Sequence, residues 1–312
     1  PLVTGVQTCA LPIFKLFDDA EPSVRIAAVA AAGALGLAAA RVPLIDRIVA
    51  DDTPPPVRRE ALRALGKVGG DGVFGVLQRA FGAPIAEDRE AAMRGLGELR
   101  DPRAAGMLAD IFASGPNTNT GLLARFYLQR MGQKLAVPAL RSQLGNTNPA
   151  VRTQVVLLLG AYQDPTVIPD LVALLRQDKD TLAAATLLSC TIGLDVAGLE
   201  DRVVAMDRWY RAHREEMQWQ WLIQACKAVD FKTSLEPAQF APGAALQPVP
   251  ELARILVSGD PGRLRVLAAA VLRSVTDEDY GPVEIATPQE VLDAMAARYR
   301  VLYEAWRTAQ SR

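Results

Sequence analysis

Apolar residues recur along this chain at spacings of three and four, in short runs broken by glycine and proline. Between Asp52 and Phe81 the first run is Val57, Ala61, Leu62 and Leu65, and the second is Val73, Phe74, Val76, Leu77 and Phe81. Each run makes one apolar stripe when wound as a helix. Asp52 and three prolines precede the first run, while Gly66 and the pair Gly69 and Gly70 follow it, which predicts a helix start and a helix stop. The unit is a helical hairpin of about thirty residues, too small to bury its own apolar faces. It requires neighbours like itself.

The same pattern returns along the chain. Val, Arg, then small or apolar residues four and eight positions on, then Gly, reads as Val24, Arg25, Ala28, Ala32 and Gly33, and again as Val57, Arg58, Ala61, Leu65 and Gly66. Altered copies run from Asp88 and Arg89 to Gly97, from Leu123 to Gly132, from Val151 and Arg152 to Gly160, and from Ala184 to Gly193. These glycines step by 33, 31, 35, 28 and 33 residues, the signature of a repeat array. Second helices are predicted near Val42–Ala50, Val73–Phe81, Arg103–Phe112, Val137–Leu144 and Ile168–Leu175. The uncharged run Ile26 to Ala40 is read as one buried repeat helix, too short and too rich in Ala and Gly to span a membrane. Ser114 to Thr120 is read as a polar loop that marks an irregular fourth repeat.

Asp-x-x-Pro-x-Val-Arg with a late Leu-Gly, as in Asp19 to Gly36 and Asn146 to Gly160, resembles the HEAT repeat family in its short bacterial form, which also occurs in phycobilin-lyase-like proteins. The resemblance covers roughly residues 14 to 206. It implies an all-α, right-handed α-solenoid of about six helical hairpins; beyond it, 207–312 reads as a C-terminal helical capping region, with a linker at 231–250 marked by Pro237, Pro242, Gly243, Pro248 and Pro250. It also implies an Asp/Arg ladder at repeat junctions, made here by Asp19, Arg25, Asp52, Arg58, Arg89 and Arg152. The alternative reading of those arginines is an anion-binding ladder along one edge, which the family pattern disfavours. In the family the second helices line the concave surface. Carried onto this chain, that makes Arg47, Gln78, Arg79, Arg103, Asp110 and Arg141 candidate protein-binding residues. Their mixed signs suit a protein ligand better than a phosphate backbone.

Charge supports the same preference. A net charge of −1 in a chain 22% charged gives no reason to expect polyanion binding. Cysteine adds little: Cys9, Cys190 and Cys226 form no Cys-x-x-Cys and no Cys/His cluster, so neither zinc nor a disulfide framework is expected. The acidic turn Asp277 to Asp279 lacks the spacing of a calcium loop and reads as a solvated turn. Neither a metal nor a cofactor is expected.

The two ends of the chain read differently. Val3 to Ile13 resembles the translated product of a sequencing-library adapter, so residues 1–13 are expected to be non-native and the native start to lie further upstream. Asp207 to Trp221 gathers Trp209, Tyr210, His213, Trp219 and Trp221. Trp209 and Tyr210 are candidates for an aromatic recognition patch, and the alternative is a cap of bulky rings over the end of the array. Leu272 to Gly281 and the helix after it are similar to the closing module of some bacterial HEAT-repeat proteins.

Three function classes follow. A non-catalytic scaffold binding a protein partner is the principal expectation, as a monomer, without a membrane segment, and with a cytoplasmic location as the default. A phycobilin-lyase-like enzyme or chaperone is the alternative by resemblance. A HEAT-like nucleic-acid binder is the third, weakened by the missing basic stripe. A hydroxylase of the deoxyhypusine type needs several His-Glu pairs, and the chain has one histidine.

Overall fold

A computed structural model describes residues 12–177, 181–196, 201–281 and 283–311. Most of the stretch Val3 to Ile13 therefore lies outside the described residues. Every regular element among those described is helical. They divide into two compact units that part between Ala139 and Leu140.

The first unit holds helices α1 (Pro22–Ala34), α2 (Arg41–Val49), α3 (Pro55–Val68), α4 (Val73–Phe81), α5 (Ala86–Glu98), α6 (Pro102–Ser114) and α7 (Asn119–Met131), and α8 (Gln133–Arg141) carries the chain across the boundary. The first helices α1, α3, α5 and α7 stack side by side, and each of α2, α4 and α6 packs against the first helix that follows it. The core between them is Val29, Leu44, Leu62, Leu65, Leu77, Leu96, Leu108 and Leu128, all at 1% exposure or less. Each stripe predicted from sequence is the face that the neighbouring hairpin covers.

The periodic glycines divide into two jobs that the sequence pattern merges. Gly66 does not end α3, which runs on to Val68 and stops at Gly69 in the left-handed region (φ +64°). Gly33, Gly66 and Gly97 sit inside their helices, where first helices cross. A methyl on Gly66 would lie 2.1 Å from the carbonyl oxygen of Gly95, and one on Gly33 would lie 2.7 Å from Ala64. Gly132 and Gly193, by contrast, are turn residues at φ +80° and +73°.

Two other expectations shift. The uncharged run Ile26 to Ala40 is not one helix: α1 ends at Ala34, Gly36 turns the chain at φ +58°, and Ala38–Ala40 is a short 3-10 turn. The fourth second helix, expected over Val137–Leu144, begins four residues earlier, at Gln133 directly after the Gly132 turn, holds Pro138 in its interior and ends at Arg141.

The second unit contains α9 (Pro149–Gly160), α10 (Ile168–Arg176), α11 (Thr181–Ile192), α12 (Arg202–His213), α13 (Gln218–Ala228), α14 (Val249–Ser258), α15 (Arg263–Thr276) and α16 (Gln289–Gln310). Leu264 and every residue from Val266 to Leu272 are buried, so α15 is apolar all round and forms the centre of this unit. It packs on α11, α13 and α14, and α16 packs on α14. Its alanines, Ala268 to Ala270, let those neighbours come close. Both ends of α15 are held by arginines on turn carbonyls: Arg263 donates to Gly193 O (3.1 Å) and Arg273 to Tyr162 O (2.9 Å). These C-terminal helices complete the core that the later repeats begin.

Candidate protein-binding surface

The second helices of the first unit carry the candidate residues on rigid, well-packed supports. On α4, Val76 and Leu77 point inward and are buried, while Gln78 and Arg79 beside them are exposed. On α6, Leu108 and Ala109 are buried and Asp110 is exposed. Arg103 starts the same helix as a fixed element. Its Nε and Nη2 donate to the two carboxylate oxygens of Asp101 (3.1 and 2.7 Å), and its guanidinium carbon lies 4.8 Å from the Phe74 ring centre. Asp101 also accepts the Arg103 backbone N–H (2.8 Å) and so caps α6. The hydrogen bonds from Arg103 hold the Asp101 pKa below its ordinary value. Arg47, on α2, is tied to Asp18.

In the second unit Arg141 pairs with Asp170 of α10 (2.7 Å), and Arg176 of α10 pairs with Asp207 of α12. Both of these ion pairs link a second helix to another hairpin.

The arginines at the start of the first helices do something else. Arg25 donates to Asp19 O (2.7 Å), Arg89 to Ala83 O (3.0 Å) and Arg152 to Asn146 O (2.6 Å), in each case the carbonyl six residues back. The Asp or Asn at that place makes a turn with its side chain instead: Asp19 Oδ1 accepts Glu21 N–H, and Asn146 Oδ1 accepts Asn148 N–H, both at 2.9 Å. The motif is a stapled turn leading into a helix, in which backbone carbonyls take the place expected for carboxylates. Arg58 departs from it. Asp52 is exposed, and Arg58 reaches to Asp88 Oδ2 of the next hairpin (2.9 Å), where Arg59 takes Oδ1 (2.7 Å). Burial alone would raise the Asp88 pKa, but the hydrogen bonds from Arg59 and Arg58 outweigh it and hold the carboxylate ionised.

The aromatic residues after α11 serve mainly one another. Trp209 stacks on His213 (5.0 Å) and meets Trp221 edge-on (5.2 Å). Trp221 is buried, and its Nε1 donates to the His213 carbonyl (3.3 Å). Trp219 lies flat on Phe240 (4.6 Å). Trp209 and Tyr210 remain half-buried. The 231–250 segment is pinned by Glu251, which accepts from Thr233 Oγ1, Ser234 N–H and both Nε and Nη2 of Arg254. Those contacts, the Arg254 bond first, lower the Glu251 pKa to about 2. No feature of the sequence pattern pointed to Glu251; its role depends on where the irregular segment runs.

Potential nucleophiles are subdued. Cys190 and Cys226 are buried, and burial pushes both thiols up to about 11. Among the described residues no group of three or more His, Cys, Asp or Glu could hold a metal ion, and no helix is long and apolar enough to cross a membrane.

A family profile described as HEAT repeats matches residues 43–120 and 113–189. Among solved structures, human deoxyhypusine hydroxylase in complex with glycerol is similar at 21% identity and a TM-score of 0.30, covering 71% of this chain and 83% of that one. The complex of CpcE and CpcF of phycocyanin lyase from Nostoc sp. PCC7120 is similar at 16% identity and a TM-score of 0.39, covering 96% of each chain. No curated protein sequence matches the chain.

Proposed function

We propose, on the premise that residues 43–189 are HEAT repeats, that the chain is a non-catalytic scaffold that binds a protein partner through the second helices of its first unit. The observation that carries the reading is the outward row Gln78, Arg79, Arg103 and Asp110. These are exposed side chains of mixed sign, seated on helices whose inward residues are fully packed. Such a row offers hydrogen bonds and charge without local flexibility, which favours specificity toward another folded surface. The protonated thiols of Cys190 and Cys226 and the capture of His213 between Trp209 and its own turn support the non-catalytic part of the reading.

The test is a photo-crosslinking residue placed at Gln78 in the full chain, expressed in the producing cells. A discrete protein adduct is expected, identified by mass spectrometry and lost when Arg79→Glu and Arg103→Glu are added. The proposal fails if no adduct forms while the purified chain turns over a small molecule, for example by attaching a bilin with the appearance of visible absorbance. It also fails if the chain binds duplex DNA with steep salt dependence and no protein.

A further inference from the structure

The outward face of α2 differs from that of the other second helices. Val42, Asp46 and Val49 fall within about 60° of one another around the axis, and Leu44, on the opposite side, is completely buried. Val42 and Val49 are 66% and 64% exposed, and Ile45 beside them is half-buried. Leu35, in the turn that leads to α2, is 61% exposed. By the spacing of the repeat glycines, the places of Val42 and Val49 are taken on α4 by Gly75 and Gly82 and on α6 by Gly106 and Ala113, so neither helix carries a large apolar side chain there. Two β-branched side chains two turns apart, about 10 Å, match the i and i+7 positions of a helix laid alongside.

The charges around this stripe are acidic and unspent. Asp46, Asp51 and Asp52 are exposed, and none of them ion-pairs with a described residue. Nearby cations are engaged elsewhere: Arg47 with Asp18, Arg41 with Gly69 O (2.8 Å), and Arg25 with Asp19 O. Asp51 and Asp52 follow the C-terminal end of α2, where unpaired helix carbonyls add negative potential. Residues 12–55 hold six acidic against four basic residues, whereas residues 56–139 hold eight acidic against twelve basic. The acidity is local to the hairpin that exposes the valines.

We propose that this face of α2 seats a basic amphipathic helix of a protein partner, its apolar residues on Val42, Ile45 and Val49 and its Lys or Arg side chains on Asp46, Asp51 and Asp52. The inference rests on the scaffold reading above and assigns it a second contact and a partner chemistry. Desolvation of the two valines supplies the attraction, and the carboxylates select sign and orientation.

The probe is a fluorescently labelled peptide of leucine and lysine, with leucines at helical spacing, titrated into the full chain and read by anisotropy. A matched leucine–glutamate peptide is the control. The lysine peptide is expected to bind, more weakly as salt rises, and the glutamate peptide not to bind. Val42→Ser with Val49→Ser, and separately Asp51→Asn with Asp52→Asn, are each expected to weaken binding about tenfold. All four side chains are exposed, so the helical circular dichroism should not change. Equal binding of the two peptides, unchanged affinity in both variants, or no binding at all would overturn the proposal. An adduct at Gln78 without peptide binding sinks this inference alone. Peptide binding in the stated pattern without that adduct keeps the α2 site and removes the contact through α4 and α6.

Discussion

Gly66 and Gly95 meet face to face where α3 crosses α5. A methyl on Gly66 would stand 2.1 Å from the Gly95 carbonyl oxygen, and one on Gly95 would stand 2.4 Å from the carbonyl oxygen of Leu62. Both obstacles are backbone, which cannot rotate aside as a side chain can. Gly66→Ala should therefore destabilise the chain by about 3 kcal/mol, as overpacking at a rigid site does. Gly106, in the middle of α6, has no atom within 4 Å of its would-be methyl. Gly106→Ala should instead stabilise, by about 0.5–1 kcal/mol. Urea unfolding of the two variants checks both signs, and opposite shifts of the midpoint are expected.

These two glycines also show what was legible in the sequence. The thirty-residue period, the helical class and the buried stripes could all be read, because they depend on local periodicity that every hairpin repeats. The job of each glycine could not. A glycine that caps a helix and one that admits a neighbouring backbone have the same letter and nearly the same place in the repeat. Gly66 and Gly69 are told apart only in the folded chain, where the first meets the Gly95 backbone and the second takes φ +64°.

Asp88 is the junction between the second and third hairpins. Its side chain is 7% exposed and holds both Arg58 and Arg59. Asp88→Asn should cost about 2–3 kcal/mol, since two guanidinium groups lose a shared, largely buried acceptor. Glu87→Gln should stay within about 0.5 kcal/mol, because Glu87 is 65% exposed and 3.7 Å from Arg59. Thermal or urea denaturation of the pair decides it, and equal losses would mean that the Asp88 pairs contribute nothing special.

The acid–arginine ladder was only partly legible for a related reason. The sequence shows that an Asp or Asn stands six residues before Arg25 and Arg152. It does not show that the side chain turns back on its own loop and leaves its carbonyl to the arginine. The stapled turn needs the backbone path, and the exception, Arg58, needs the neighbour that brings Asp88 within reach.

Glu251 predicts an acid limb to stability. Its folded pKa of about 2 lies below the ordinary glutamate value of 4.5, so its contribution is complete above that value and is lost as pH falls toward 2. Arg254 is half exposed and solvent screens the pair, so the contribution is about 1–2 kcal/mol. The gap in unfolding free energy between the native chain and Glu251→Gln should be widest at pH 5 and above, then close through the window from about 4.5 to 2. A gap that stays constant across that window would remove the assignment.

The buried thiols give a chemical readout. In a Cys9→Ser background at mildly alkaline pH, Cys190 and Cys226 should resist a disulfide reagent in the folded chain and react fully in guanidinium. Their pKa values of about 11 leave little thiolate, and burial blocks approach. Rapid modification of either in native buffer would contradict the packing around α11 and α13.

The place of α15 in the chain sets an order of events during synthesis. The most buried helix of its unit is made late, yet it holds turns that left the ribosome long before: Gly193 lies 70 residues earlier and Tyr162 lies 111. In the first unit the main helix contacts run from each hairpin to the next, so they can form as the chain emerges. The second must wait. Until Arg263 to Thr276 arrive, α11 and α13 keep an apolar side open to water, and a chain halted there is a client for chaperones and proteases rather than a shorter version of the protein.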